Sequence, residues 1–458
     1  MSNFVTLSTA LTALRAAQTG IDVTSHNIAN ANTAGFTRQR VSLTTNTPYD
    51  SAVGPMGTGV GVEEIARIRD TFLDMRLHAS NSALGSMEVK ADLLARTEAL
   101  LGEPDFGITK ELGEVWATFD ELSLRPTDKS VRLTVLSALD TLASRTRTIA
   151  TSLDALGDDV RLQLNDSVNK ANDQIQQLAD LNKMIASLQG NGGGAPNDLL
   201  DRRDLLVDQL SRSLGASASY AEDGSTRLNL NGFELVSGQR ANLLVLQPDN
   251  SLLHPSGSTV PGGGRIGGLQ AFLVTPGGLL EGVKQQLNDF VTELVTQVNM
   301  QHAAGVDLNG AAPAAPPAPQ LLELTGGADT LAVGITDPDL LAAASPGMGQ
   351  LDGSNAMALA QLRTKPAAVG LPVIDEAARG LITDLGAQVA SARRQAAAEG
   401  GLNSAAASAR RDHNAVSLDE EMVGLVTYQR SYEAAARVAT TIDEMLQTVV
   451  SRLGVVGR

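Results

Sequence analysis

Five histidines are the side chains of this sequence best suited to hold a metal ion. They are His26, His78, His254, His302 and His413, and no two of them form an HxH or HExxH pair. Zinc sites recognisable from sequence bring their ligands together at such short spacings. The sequence therefore predicts no metal site.

Two short loops resemble ligand-binding motifs without completing them. The glycines at positions 57, 59 and 61 match neither GxGxxG nor the GxxxxGK[ST] phosphate loop, which also needs a lysine. The segment 307–310 begins like a calcium loop but lacks the glycine and glutamate that such a loop requires further on. Both are typical of turns. With no GxSxG, SxxK or triad-like grouping either, we predict no cofactor and no enzyme.

The composition favours long helices over a compact enzyme. Of the 458 residues, 43% are hydrophobic but only 3% are aromatic, and aromatic side chains usually line small-ligand pockets. A chain of this length predicts two to four domains. The formal net charge is -16, without a cluster of Lys or Arg, which argues against nucleic-acid binding.

Neither a membrane span nor a cleaved secretory signal is indicated. The sequence contains no run of about 20 apolar residues, and its N-terminus lacks a basic start and an unbroken apolar stretch. Disulfides and thiolate metal sites are excluded because there is no Cys. We expect a protein that either stays in the cytoplasm or is exported by a route that reads no cleaved signal.

The N-terminal helix is predicted from a heptad stripe with a partly polar second row. Its members are Leu7, Leu14, Ile21 and Ile28, with Leu11, Gln18 and Ser25 interleaved. Such spacing is typical of the a and d positions of a coiled coil. A turn-rich segment follows this helix, in which Gly35 supplies a positive φ at low cost.

The C-terminal helix is predicted from apolar positions spaced four and three residues apart. They are Leu418, Met422, Leu425, Gln429, Tyr432, Ala436, Ala439, Ile442, Leu446, Val449 and Leu453. Ser417 and Glu420 are spaced as a capping box that opens the helix. The small residues Ala435, Ala436 and Ala439 would allow a partner helix to approach closely.

The interior combines long helices with short strands. We predict a strand at 39–45, a glycine-rich turn at 54–61 and helices from about 65 to 190, broken near Pro104 and Pro126. Further predictions are a loop at 191–196, a helix at 198–214, strands within 220–246, a loop at 262–268 and a helix at 279–300. We also predict a small β-rich insertion at 306–373 and a helix at about 374–398. The predicted fold class is mainly α with smaller β parts.

Two motifs at opposite ends of the chain carry a resemblance to a known family. The segment 25–39 contains Asn27, Ile28, Asn30, Asn32 and Gly35 and resembles the N-terminal motif of flagellar rod, hook and hook-associated proteins. The segment 418–435 resembles the C-terminal motif of the same family. Phe36 stands where the family more often has Tyr.

The interior indicates which branch of this family the chain is similar to. The segments 125–128, 195–204 and 301–305 are similar to the hook-associated protein 1 (hook–filament junction) pattern. The likeness covers most of the chain outside 306–372, where the insertion is shorter than in the best-known members. Another axial protein, such as hook or distal rod protein, remains the alternative, and an enzyme with helical arms is a further one.

The resemblance implies a division into layers. Residues 1–50 and 412–458 would form inner-core arms, paired like a coiled coil. Residues 51–305 and the return helix 374–411 would form a helical rod domain, and 306–373 an outer insertion. The implied assembly interface comprises Leu7, Leu11, Leu14, Ile21, Asn27, Ile28, Asn30, Asn32, Gly35, Leu418, Met422, Leu425, Gln429, Tyr432, Ala435, Ala439, Ile442 and Leu446.

The same resemblance implies partners and a location. The chain would form a homo-oligomer in a helical tube of the extracellular flagellum, exported without a cleaved signal. It would bind hook protein on one side and the second hook–filament junction protein on the other. An export chaperone would first cover its C-terminal helix. No nucleic acid, membrane or cofactor is implied.

Periodicity alone would also fit an ordinary antiparallel helix pair that closes one domain. Free energies argue against such a pair standing alone. Ordering a residue costs about 1–2 kcal/mol of backbone entropy, whereas a buried apolar side chain returns about 1.5–3 kcal/mol. Because the stripes contain Gln18, Ser25, Gln429 and several alanines, we expect contacts with neighbouring copies to supply the missing stability.

Overall fold

The computed structural model describes residues 2–51, 54–102, 107–190, 195–220, 225–274, 277–313 and 319–453. The predicted break at Pro104 and the first four residues of the predicted loop at 191–196 lie outside these ranges. Helices dominate the described residues, and the β-structure is confined to small antiparallel sheets. The predicted fold class is confirmed.

Ten α-helices are present in the described ranges. They are α1 Ser2–Asn30, α2 Thr71–Leu101, α3 Ile108–Leu124, α4 Lys129–Gly190, α5 Asn197–Leu214, α6 Gly264–Leu273, α7 Leu279–Ala303, α8 Ser354–Gln361, α9 Ile374–Asn414 and α10 Leu418–Leu453. Helix α4 runs unbroken for 62 residues, or about 90 Å at 1.5 Å per residue. Helix α9 continues through the Ala/Ser/Gly stretch beyond residue 398, where the sequence analysis ended it.

The strands form five small sheets. They are β1 Gln39–Thr45, β2 Tyr49–Ser51, β3 Gly54–Met56, β4 Val60–Arg67, β5 Ser217–Tyr220, β6 Thr226–Leu230, β7 Phe233–Ser237, β8 Arg240–Ala241, β9 Val245–Leu246, β10 Leu252–Leu253, β11 Thr259–Val260, β12 Leu322–Glu323 and β13 Ala332–Val333. Strands β1 and β4 pair antiparallel, from Gln39 with Arg67 to Thr45 with Val60. We call residues 39–67 the ribbon. Part of the predicted turn at 54–61 is therefore strand.

The helices α2–α9 share one apolar core, and we call this unit the rod. Its centre contains Trp116 and Phe119 of α3, together with Leu139 of α4 and Phe290 of α7. The indole Nε1 of Trp116 donates to Asp375 Oδ1 at 2.9 Å, which ties α3 to the start of α9. Long helices packed on one core make a stiff body for whatever is attached to its end.

The prediction of a loop at 262–268 is wrong from Gly264 onward, because Gly264, Gly267 and Gly268 belong to helix α6, which Gly262 and Gly263 precede. A Cβ added at Gly268 would lie 2.9 Å from the carbonyl oxygen of Ser86 and 3.0 Å from Cβ of Val89. The missing side chains let α6 approach α2 at backbone distance. Glycine costs helix stability, and here the close packing offsets that cost.

The prediction of a β-rich segment at 306–373 also needs correction. Its described residues form two two-residue strands, two 3-10 turns and α8. The rod satisfies this segment's backbone instead of a sheet: Asn299 of α7 bonds both N–H and C=O of Leu322 at 2.9 and 2.7 Å. Buried Arg132 of α4 likewise donates to the carbonyls of Pro338 and Leu341 at 3.0 and 2.6 Å.

Candidate assembly interface

Helices α1 and α10 lie side by side and antiparallel, and we call this pair the arm. Asn27 meets Glu421 at one end, and Gly20 meets Tyr428 further along. A Cβ on Gly20 would lie 2.5–2.7 Å from three ring atoms of Tyr428. The helices therefore approach closely because one of them has no side chain at the contact.

The seam that α1 buries in the arm is made of small and polar residues. Its members are Ala10, Ala17, Gly20, Thr24 and Asn27, which recur at spacings of seven, three, four and three. The leucines predicted as the seam are not the residues buried there. At 100° per residue, the leucine stripe is rotated by roughly 100° about the helix axis from the buried seam. Because α1 and α10 approach closely at Gly20, α1 packs against α10 with its face of small residues and not with its leucine stripe.

The predicted interface residues differ widely in exposure. Asn27, Ala435 and Ile442 are buried, Leu7, Leu14, Ile21, Ile28, Asn30, Leu425, Ala439 and Leu446 are half-buried, and Leu11, Asn32, Gly35, Leu418, Met422, Gln429 and Tyr432 are exposed. The structure brings the first group together in the arm. The second group is only partly covered in a single chain, and the third faces solvent.

The exposed stripes of the two arm helices lie on the same side of the arm. In an antiparallel pair, positions displaced in the same sense from the seam point to the same side. The ribbon covers the opposite side, where Val23 of α1 and Val41 of β1 line one small cleft and Thr12 touches Gly59. One apolar face therefore extends over both helices, from Leu11 to Met422.

Asn27 joins α1 to both the ribbon and α10. Its Nδ2 donates to the carbonyl of Gln39 at 2.9 Å and to Glu421 Oε2 at 3.0 Å, and its Oδ1 accepts from Gln39 N–H at 3.0 Å. Asn27 is only 1% exposed. A buried amide with every strong group paired is costly to replace.

Arg38 forms ion pairs beside Asn27, and we call Asn27, Arg38 and Glu421 together the node. Its Nε donates to Glu421 Oε1 at 2.7 Å and its Nη1 to Glu420 Oε2 at 2.6 Å. Burial alone would lower the pKa of Arg38, but the two carboxylates raise it. The acidic first turn of α10 thus holds the start of the ribbon, and the carboxylate of Glu420 is directed towards Arg38.

Hydrogen bonds between neighbouring residues stabilise the end of α1 and the loop that follows it. Asn30 Nδ2 donates to the carbonyl of His26 at 3.0 Å, and Thr33 Oγ1 donates to Asn30 Oδ1 at 3.1 Å. Gly35 has φ +80°, and its Cα faces Leu205 of α5. The exposed Asn32 lies between these residues, so the loop presents its tip to solvent while its end contacts the rod.

The ribbon is seated on α5, whose N-terminal part belongs to the segment 195–204 singled out from the sequence. Asn197 Nδ2 donates to the Ile65 carbonyl at 2.8 Å and to Gln39 Oε1 at 3.1 Å. Asp201 accepts from Thr37 N–H at 3.1 Å and from Arg67 Nη1 at 2.8 Å. This motif therefore forms the contact between the ribbon and the rod, which we call the joint.

The carboxyl of Asp204 lies among three guanidinium groups in the joint. Burial by itself would raise its pKa, but Arg69, Arg67 and Arg203 lower it below the usual range. Arg67 Nη1 donates to Asp204 Oδ2 at 2.6 Å, and Arg69 also bonds this oxygen. The three guanidinium groups thus favour the carboxylate form of Asp204.

Sequence reasoning found the segment 195–204 but not its role. The signal was present: Asp201, Asp204 and Asp208 are spaced three and four apart, which places them on one face of a helix. What the sequence did not show is that Arg67, at the end of β4, and Arg69, two residues beyond it, reach that face from more than 130 residues earlier. Charge pairs between residues far apart in the chain produce no periodic pattern in the sequence.

A metal site and a membrane-spanning helix are both absent from the described part of the chain. No three His, Asp or Glu side chains there are grouped so that they could hold a metal ion. None of its helices combines the length and apolarity needed to cross a membrane.

Comparison with known proteins gives matches at both ends and in the middle. Residues 94–315 match the family model for the flagellar hook-associated protein FlgK helical domain. Residues 7–37 match that for flagella basal body rod protein, and 414–453 that for the C-terminal part of basal body rod FlgEFG protein. The flagellar hook-associated protein 1 of Bacillus subtilis is 32% identical over the whole of both chains.

The chain belongs to the flagellar hook-associated protein 1 family. The Escherichia coli hook-associated protein 1 is 26% identical over 66% of this chain, which spans 58% of that longer relative. A solved structure, the flagellar hook junction protein FlgK from Burkholderia pseudomallei, superposes with a TM-score of 0.63 over 74% of this chain and all of that one, at 18% identity. That likeness confirms the fold.

Membership of the hook-associated protein 1 family makes this chain a structural component of the bacterial flagellum. The two terminal family matches fall on the arm and its adjoining loop, and the middle match covers much of the rod. The family's terminal motifs are thus the residues that form the Asn27–Arg38–Glu421 node.

Proposed function

We propose that this chain is a non-catalytic adaptor between the hook and the filament, assembled through its arm. The arm segments 1–50 and 412–458 form the inner layer of a tube of identical copies. Residues 51–305 and 374–411 form a helical domain outside that layer, and 306–373, which include α8, form an outer insertion. The match of residues 94–315 to the FlgK helical domain supports the junction over a hook or distal rod role.

The observation that supports the proposal most strongly is the apolar face of the arm. Leu11 is 45% exposed, Met422 52% and Tyr432 41%, and all three lie on this one face. Contiguous exposed apolar surface is costly in water and typical of interaction sites. In a tube of copies, the same face would be buried against neighbouring arms. The predicted interface residues would then fall into two groups, those within an arm and those between arms.

Partners follow from the position of an adaptor. One end of the ring of copies would contact hook protein, and the other would contact the second junction protein. An export chaperone covering the same face of α10 would keep Met422 and Tyr432 from associating before export. The absence of Cys suits passage through a narrow export channel in an unfolded state.

The experiment is deletion of the gene followed by complementation. Loss of the chain should leave completed hooks without filaments, with flagellin released into the medium, and the wild-type chain should restore filaments. Leu11→Asp should fail to restore them, because it buries a charge between arms. Leu162→Asp, at a 66% exposed position on the rod surface, should succeed. Filaments in the deletion strain would contradict the proposed function.

A further inference from the structure

The joint contains an unbroken row of alternating charges. In order of contact its members are Asp201, Arg67, Asp204, Arg69, Asp74, Arg410 and Asp208, and His78 Nε2 lies 2.9 Å from Asp208 Oδ1 at the end of the row. Arg67 is the last residue of the ribbon, Arg69 lies between the ribbon and α2, and the other members come from α2, α5 and α9. The row thus links the ribbon to three helices of the rod at once.

The row is buried rather than spread on the surface. The side chains of Arg67 and Asp201 are 10% and 8% exposed, those of Arg69 and Asp74 13% and 2%. Arg410 holds Asp208 through two bonds, at 2.9 and 2.6 Å. Charges at this depth are weakly screened, and breaking one partner away leaves an uncompensated buried charge.

Asp204 is the centre of the row. It is shared by Arg67 and Arg69, and Arg203 lies 3.4 Å from its other oxygen. Without its charge, three guanidinium groups would face one another across the joint. Their repulsion would act between the ribbon and α5, because Arg67 ends the ribbon, Arg69 follows it by two residues and Arg203 belongs to α5.

The joint has room for movement. A cleft of about 350 Å³ opens between the loop 31–37 and the C-terminal end of α9, and Arg69, Asp204 and Arg410 line it. Contacts other than the row also cross the joint, among them the Asn197 hydrogen bonds and the packing of Gly35 on Leu205. With the charge of Asp204 removed, these contacts, together with that of His26 with Asp198, would remain, and the arm with its ribbon would turn about them.

We propose that Asp201 and Asp204 are positioning residues for assembly: by neutralising Arg67 and Arg69 they fix the angle between the arm with its ribbon and the rod. The inference rests on the proposed function, in which each copy must present its arm to neighbours at one angle. A chain without these charges folds its rod and retains its arm sequence, but it presents the arm over a range of angles.

The chain has no Cys, so pairs of spin labels can be placed without background. Thr45→Cys at the far end of β1 and Asp166→Cys on α4 are both exposed positions. Seven residues separate Val60, the partner of Thr45, from Arg67, or about 23 Å at 3.3 Å per residue. A swing of about 20° at the joint would therefore move the label by about 8 Å.

Electron–electron double resonance on the full-length isolated chain measures this distance. We expect a narrow distribution for the wild-type background and a broad or shifted one for Asp204→Asn. Asp384→Asn, the same substitution at an exposed position on α9 away from the joint, should leave it narrow, since exposed charges contribute little. A second label pair within the rod, Asp166→Cys with Thr292→Cys, should be unaffected by either.

Charge balance is tested by a double variant. Arg69→Gln combined with Asp204→Asn removes one charge of each sign, while Arg67 keeps Asp201 and Arg410 keeps Asp208. We expect the distribution to narrow again. No recovery, or a wild-type distribution already as broad as that of Asp204→Asn, would overturn the proposal.

Complementation separates this inference from the proposed function. Asp204→Asn should restore fewer filaments than the wild-type chain, and the double variant should recover part of the loss. If the wild-type chain itself fails to restore filaments, the proposed function fails while the distance measurements still decide the role of Asp204. If Asp204→Asn restores filaments fully despite a broad distribution, the angle is not needed for assembly and the proposal is overturned.

Discussion

Replacing Gly20 by Ala tests whether close approach of the arm helices holds the arm together. The new methyl group would lie 2.5–2.7 Å from the ring of Tyr428, well inside van der Waals contact. Forcing one extra carbon into a packed contact costs about 1–3 kcal/mol, while exchanging a helical Gly for Ala returns about 0.5–1 kcal/mol. We expect a net loss of about 1 kcal/mol or more.

Amide hydrogen exchange on the isolated chain measures this loss in the arm alone. Since 1.4 kcal/mol is a factor of ten, amides of α1 and α10 should exchange roughly five- to thirty-fold faster in Gly20→Ala, and those of α4 at the wild-type rate. The matched control is Gly113→Ala in α3, where an added Cβ meets nothing within 4 Å. This substitution should slow amide exchange in α3 slightly, because Ala favours a helix more than Gly does. Equal behaviour of the two variants would refute the reasoning.

Three further predictions concern other contacts. His302 Nε2 accepts a hydrogen bond from Ala342 N–H at 3.0 Å, and burial lowers the pKa of His302 to about 4. The free energy of unfolding should therefore fall by about 3 kcal/mol as the pH drops from about 6.5 to 4. Denaturant titration measures this fall, and the part that is due to His302 should be absent in His302→Gln. Asn27→Leu should speed exchange in the arm by tenfold or more, because the partners in Gln39 and Glu421 lose their bonds. Ala439→Trp should block filament attachment in the complementation assay while circular dichroism and the melting temperature of the rod stay near wild type.

The sequence predicted the elements well where one periodicity extended over many residues. The arm helices, α4 and α7 follow directly from apolar spacing, and the strand at 39–45 from alternation. The prediction failed at 262–268, because glycines that permit close helix packing look the same in a sequence as glycines that form a loop.

The candidate site could be predicted only in part. Asn27 and Gly35 were found through the motif that contains them, but their partners were not. The leucines of α1 were chosen as its seam because they are the largest apolar residues, whereas the arm packs on its smallest ones. Neither the choice of face nor the pairing of Arg67 with Asp204 is a local property of the sequence.

The central claim is that the arm completes its core only among neighbouring copies. Its most direct test is amide hydrogen exchange on the same protein before and after assembly onto hooks. The account predicts that α1 and α10 are much less protected than α4 and α7 in the free chain, although still measurably protected, with a large gain confined to the arm on assembly. Arm helices as protected in the free chain as α4, with no gain on assembly, would contradict it.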